Sequence, residues 1–260
     1  LAFAMLHDEH LAELRIGVQD IPDQAYPNQR MDMTANDSTQ FSLRYRRQFE
    51  RAVLEARAFH ETTEHRMDFG DDKLFWYGPS NVPNSDGIAG PISGGPNGRA
   101  AGMPMNTEGK NSGVAARGDI ALSARDLLRV GGEALSHRLD DRWPPSGKGM
   151  WPNDFININD GERDRVAAFG EWEARWNTQW LTQLGLRYEQ VRTDAGPVQG
   201  YSPTFSPADE QAFNAADRRR TDHHLDLAAV LRFTPSPTAT YELGGAQKTR
   251  SPNLYERYAW

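Results

Sequence analysis

Along this chain apolar and polar residues alternate in ten stretches. Side chains on a strand point to opposite faces in turn, so each stretch is predicted to be a strand with one apolar and one polar face. Leu14, Ile16 and Val18 alternate with Glu13, Arg15 and Gln19, and Phe41, Leu43 and Tyr45 with Ser42, Arg44 and Arg46. Val166, Ala168, Gly170, Trp172 and Ala174 alternate with Arg165, Glu171, Glu173 and Arg175, with Phe169 intruding on the polar side. Leu184, Leu186 and Tyr188 repeat the pattern, as do Leu225, Leu227, Ala229, Leu231 and Phe233, where Val230 departs from it.

The connections between the stretches alternate as strictly as the residues do. Short ones fall around Asp8–His10, Gln48–Arg51, Ser123–Leu127, Arg175–Gln179 and Thr234–Pro237. Long ones run through Ile21–Ser38, His65–Asn111, Leu139–Gly161 and Thr193–Arg220, and another begins at Ser251. A soluble sandwich has no reason to keep all its long loops at one end. An up-and-down barrel crossing an outer membrane does, because its periplasmic turns are short and its extracellular loops long. The predicted fold is therefore all-β, an antiparallel transmembrane β-barrel segment of ten strands.

The polar face is rich in paired charges, which suits the wet interior of a wide barrel. Phe49, Trp176, Trp180 and Phe233 sit beside short turns, where an interfacial aromatic girdle is expected. The competing picture is an antiparallel sheet with one face in water, which alternates just as cleanly.

Composition narrows the field. The mean hydropathy is −0.73, and no apolar run approaches the roughly 18 residues of a helical span. A barrel escapes that test, since only every second strand residue faces lipid. A net charge of −7 without a basic stripe argues against a nucleic-acid partner. Arg218-Arg219-Arg220 reads as a solvated loop end, and with no cysteine there is neither a disulfide frame nor a thiolate site. The chain starts on Leu-Ala-Phe and stops on Tyr-Ala-Trp in mid-pattern, so residues 1–260 read as an internal piece of one barrel domain. No Ser/His/Asp constellation stands out, and no enzyme is expected.

The segment Lys248-Thr-Arg-Ser-Pro-Asn-Leu-Tyr-Glu-Arg-Tyr-Ala-Trp260 resembles the mid-barrel motif of TonB-dependent outer-membrane receptors, matched here by Arg250 through Glu256. The hairpin from Leu225 to Gln247, with Thr-Pro-Ser-Pro-Thr at its turn, is similar too. The resemblance implies a barrel of about 22 strands with a plug in its lumen, surrounded by outer-membrane lipid and driven by the TonB complex. The plug and the remaining strands would lie outside this sequence. Ten strands alone leave two edges unpaired, so an open, curved sheet is expected.

Within that superfamily the chain looks most like the copper receptors. The likeness rests on Thr63-Glu-His-Arg-Met-Asp68 at the end of a strand, on Met103-Pro-Met105 beyond it, and on Arg250–Trp260. It implies that His65 and Met67 match a His-x-Met pair of copper ligands, whose partner Cys-x-x-x-Met pair would lie upstream. The residues point the same way. Thioether and imidazole donors suit Cu(I), and residues two apart on a strand share a face. The candidate metal ligands are thus His65, Met67, Met103 and Met105, with a copper ion as the transported substrate and no organic cofactor. For Met31, Met33 and Met150 the better reading is packing, as flexible gap fillers between loops. His224 with Asp222 and Asp226 reads as a charge network rather than a ligand set. A ferric-siderophore receptor, an adhesin-type barrel and a soluble β protein are the alternatives.

Overall fold

The computed structural model describes residues 1–27, 31–68, 104–145, 152–204 and 206–260. Its strands are β1 (Ala2–His7), β2 (His10–Ile21), β3 (Asp32–Gln48), β4 (Ala52–Asp68), β5 (Met105–Ala121), β6 (Asp126–Trp143), β7 (Phe155–Arg175), β8 (Trp180–Asp194), β9 (Arg220–Ser236) and β10 (Ala239–Gln247). They form a single antiparallel sheet of ten strands in chain order, leaving β1 and β10 as edges. Helix α1 (Pro207–Ala215) lies between β8 and β9, and α2 (Leu254–Tyr258) follows β10. No helix among the described residues is long and apolar enough to cross a membrane, which says nothing of crossing by strands.

Register puts the predicted apolar residues into continuous rows. Leu14, Leu43, Ala58, Val114, Ala134 and Val166 are successive partners from β2 to β7. Leu43, Val114, Val166, Leu184 and Leu225 are exposed, so no second layer covers this face. A sheet that leaves such a band open places it against lipid. The opposite face carries the ion pairs. Arg44 holds Glu13 at 2.9 Å and Glu55 at 2.6 Å, Arg129 pairs with Glu171 and Glu173, and Arg165 and Arg187 both hold Glu133.

The two intruders are packed against glycines. Phe169 on the polar face pairs with Gly131, and its ring fills the space that a side chain there would need. Val230 lies likewise beside Gly244. A Cβ at Gly131 would sit 2.6 Å from the Phe169 ring and 2.7 Å from the Ala116 carbonyl oxygen, whereas one at Gly170 would meet nothing within 4 Å. Gly131→Ala is expected to lower barrel stability by about 1–3 kcal/mol, as overpacking does. Gly170→Ala should stay within about 0.5 kcal/mol, as uncrowded substitutions do. Urea unfolding of the refolded barrel checks the contrast, and equal midpoints would refute it.

At the short-turn end the aromatic girdle is assembled as expected. Trp180 stacks on Phe233 at 4.3 Å, and Arg125 lies 4.6 Å over the Trp176 ring. At the other end the strands run further than their alternation suggests. β4 has 17 residues, or roughly 56 Å at about 3.3 Å per residue, while a tilted crossing needs only about 9–11 residues. Beyond the apolar band the outer face turns polar at Glu64, Arg66, Glu108, Lys110, Arg138 and Asp164.

The buried core lies at this far end, on the inner face. Leu139, Ile158, Ala195, Leu254 and Tyr258 pack together with Phe213 against them, so α2 and the β8–β9 connection fold back over the sheet. Arg218 is not a solvated loop residue. Its guanidinium donates to the carbonyls of Ala195, Phe213 and Asn214 at 2.7–3.0 Å, closing the C-terminus of α1.

Candidate functional site

His65 and Met67 lie two residues apart near the end of β4, on the same face of the sheet. That face is the inner one, since His65 pairs with Thr107 of β5 and Thr107 in turn with Asp141 of β6, beside the buried core. Both residues stand in the polar strand extension beyond the lipid band. Met105 is also in a strand rather than a loop: it opens β5 and is the direct partner of Met67. Met103 falls outside the described residues.

The sheet adds a residue that sequence reasoning assigned to packing. Met33 of β3 is the partner of Met67 from the other side. An irregularity between Met33 and Ala35 brings this about, because one extra residue, Thr34, is inserted opposite β4. Bulges of this kind re-aim side chains. With a regular period of two from Asn36, Met33 would face outward. With the bulge, Asn36 pairs with His65 and Met33 with Met67, both inward. Met33 is 4% exposed, and its backbone is fixed by a two-way bridge to Gln24, with N–O distances of 2.8 and 3.1 Å.

Two cross-strand rows result. One is Met33–Met67–Met105, and the other is Asn36–His65–Thr107–Asp141. In the second row the Asn36 Oδ1 lies 3.1 Å from the His65 Nδ1. An amide oxygen only accepts, so Nδ1 donates to it and Nε2 is the ring nitrogen turned away from Asn36. This is the outer-shell device that fixes the tautomer of a metal-binding imidazole. Asp141 is fully buried and accepts from Trp143 Nε1 and Asn157 Nδ2, each at 2.8 Å. It therefore ends the row as a structural anchor. Its two oxygens are taken up by those bonds rather than turned toward His65.

The segment from Arg250 onward closes over this end. Its helix α2 has a capping box: Asn253 accepts from the Glu256 backbone and Glu256 accepts from that of Asn253. Arg250 pairs with both Glu256 oxygens, at 2.7 and 2.9 Å. Three inward residues of β9 hold this segment down: Asp222 pairs with Arg257 at 2.6 Å, His224 bonds Ser251 at 2.7 Å, and Asp226 accepts from the Thr249 amide at 2.8 Å. The Tyr255 hydroxyl rests against Thr107 and Asp141, and burial, with the Asp141 carboxylate beside it, pushes that phenol up to about 12. It stays protonated and donates at any physiological pH. Among the described residues no three His, Asp, Glu or Cys side chains are grouped as metal ligands.

Arg250, with the Asn253 amide, holds the Glu256 carboxyl at about 2, down from an ordinary 4.5. A carboxylate depressed on folding contributes stability above its unfolded value and loses it only as pH falls through the folded one. The α2 cap is therefore expected to survive at pH 3.5 and to fail near pH 2. Peptic cleavage between Leu254 and Tyr255 at pH 3.5 should be slow in the wild type and fast in Glu256→Gln; equal rates would contradict this.

A family model described as TonB dependent receptor-like, beta-barrel, matches residues 11–260. No curated protein matches the chain. Among solved structures the copper transporter OprC superposes with a TM-score of 0.73 at 14% identity, covering 98% of this chain and 36% of that one. The chain thus spans about a third of the length of that transporter.

Proposed function

The chain belongs to the TonB-dependent receptor β-barrel family, and from that premise we propose that it forms part of an outer-membrane receptor taking up copper by TonB-coupled transport. Receptors of this family sit in the outer membrane of Gram-negative bacteria, and the open apolar band with its aromatic girdle suits that place. The observation that carries the copper reading is the pairing of His65, its Nε2 turned away from Asn36, with Met67 on the inner face beside Met105. An imidazole with neighbouring thioethers is a soft donor set that favours Cu(I), and a ferric chelate has no use for it. The copper transporter OprC, similar in fold, supports the reading. Met103, two residues before Met105, is a further candidate donor.

The energy source is the one used by the family. The ion is captured at the long-connection end and passed inward when TonB acts on a plug. The test is direct. Purified intact receptor is offered equimolar Cu(I) and a ferric catecholate, then gel-filtered. Near-stoichiometric copper and no iron are expected; retention of the ferric chelate without copper would overturn the reading in favour of a siderophore receptor.

A further inference from the structure

We propose that the outer face of β4 to β6 seats a phosphorylated, multiply acylated lipid of the outer leaflet, its phosphate on Lys110 and its chains in a trough of small residues below. The site depends on the membrane placement and not on the copper. Lipid-facing positions ordinarily carry large apolar side chains, and β3 and β8 do so with Phe41, Leu43 and Tyr45 and with Leu184, Leu186 and Tyr188. Between them the face drops. One cross-strand row reads Tyr45, Ala56, Ala116, Gly132, Ala168 and Tyr188, so four small residues on β4 to β7 lie between two tyrosines. From β3 to β8 is five strand spacings, or about 24 Å at about 4.8 Å each, with room for several acyl chains abreast. A groove of about 490 Å³ runs along the β3 side, floored by Ala56, Ala58, Ala116, Gly132 and Ala134 and walled by Leu43 and Tyr45.

Polar groups top the trough in an order that matches such a molecule. Two residues nearer the long-connection end than Ala58, Val114 and Ala134 stand His60, Ser112 and Ser136, partners in one row, with the His60 Nδ1 2.8 Å from the Ser112 Oγ. The same row on β2 and β3 is Ile16 and Phe41, still apolar, so polarity reaches one row deeper over the trough than beside it. One row higher come Thr62, Lys110 and Arg138. Lys110 is exposed, and among the described residues its ammonium has no partner. Arg138 holds Asp164 at 2.7 Å and stands 3.7 Å from Glu162, and Arg192, exposed on β8, is the cross-strand partner of Asp164. Three cations thus meet two carboxylates, and the uncompensated charge falls on Lys110. Above them Glu64, Glu108 and Asp140 form a carboxylate row that repels an anion from any higher position. A phosphate therefore has one level to occupy, with Lys110 as its point charge and the hydroxyls of Ser112, Ser136 and Thr62 as donors. Acyl chains leaving it run down into the trough.

The intact receptor in detergent is titrated with diphosphorylated lipid A (a multiply acylated disaccharide), with its dephosphorylated form and with inorganic phosphate, and bound lipid is counted by native mass spectrometry. The diphosphorylated lipid is expected to bind and the dephosphorylated one to bind more weakly. Lys110→Gln should weaken binding about fivefold, what one lysine near an anionic surface contributes. Ala116→Leu, which fills the trough, should weaken it by a similar factor, while Lys248→Gln, outside the site, binds as the wild type does. Equal binding of the dephosphorylated lipid, wild-type affinity in either site variant, or an equal loss in Lys248→Gln refutes the site. Displacement of the lipid by millimolar inorganic phosphate makes it a free-anion site and overturns the lipid as occupant. Should a variant not refold, wild-type receptor labelled by lipid A with photoreactive acyl chains decides: adducts on β4 to β6 uphold the trough, and adducts confined to other strands overturn it.

Discussion

Replacing His65 and Met67 together with alanine is expected to strip the intact receptor of its copper, with Cu(I) affinity falling at least about 100-fold. The size follows from what the two side chains are. Loss of a group that merely orients a metal ligand costs about 10–100-fold, and here two direct donors disappear at once. The barrel should survive, because both residues sit in the polar extension of β4, clear of the lipid band. Their backbone pairing with β3 and β5 does not depend on their side chains. Asn36 loses its imidazole partner but stays at a hydrated rim, where water replaces the bond. Metal analysis after gel filtration, with chelator competition, gives the answer. Glu61→Gln, on the same face of β4 and six residues short of Met67, is the control and should keep its copper. Copper retained by the double variant would remove His65 and Met67 from the site.

Much of this fold is legible in the residues, for a physical reason. Lipid on one side and water on the other impose a period of two on every strand, so Leu184, Leu186 and Tyr188 or Leu225, Leu227 and Ala229 declare their faces without further context. The ten strands and their neighbour order follow from that rhythm and from the short turns. Phe169 and Val230 break the rhythm, and only register explains them, because the glycines that admit them lie on neighbouring strands.

The candidate site is less legible because it lies where the rhythm stops. Above the lipid band the outer face of β3 to β7 is polar too, and alternation fades although pairing continues. Met33, Met67 and Met105 therefore look like loop residues in the sequence and are strand residues in the structure. The one-residue phase slip at Thr34 hides Met33 further. Counted by twos from Asn36 it belongs to the outer face, and a bulge has no reliable sequence signal here. What the segment from Arg250 onward does is hidden as well: its partners Asp222, His224 and Asp226 alternate along β9, and nothing local says that a later segment will fold back onto them.

Leu254→Ala should release that segment and, through it, loosen the ion site. Leu254 is 3% exposed and packs with Leu139, Ile158, Ala195 and Tyr258, an apolar cluster that joins α2 to the sheet. Truncating a buried leucine costs about 2–5 kcal/mol. A helix of five residues does not stand without packing, so the effect should be local opening rather than unfolding of the barrel. Hydrogen exchange at residues 250–258 is expected to accelerate on the order of 100-fold, the equivalent of about 2.7 kcal/mol, with the amides of β8 and β9 below the rim unchanged. Tyr255 rests on Thr107 and Asp141, the row that contains His65, so its departure uncovers that row and copper should leave several-fold faster. Tyr255→Phe separates the two roles. It keeps the packing of α2 and loses only the hydroxyl on Asp141, so exchange at 250–258 should stay near the wild-type rate. If Leu254→Ala speeds exchange without changing copper release, the segment is a structural cap alone; if exchange itself is unchanged, the cluster does not hold α2.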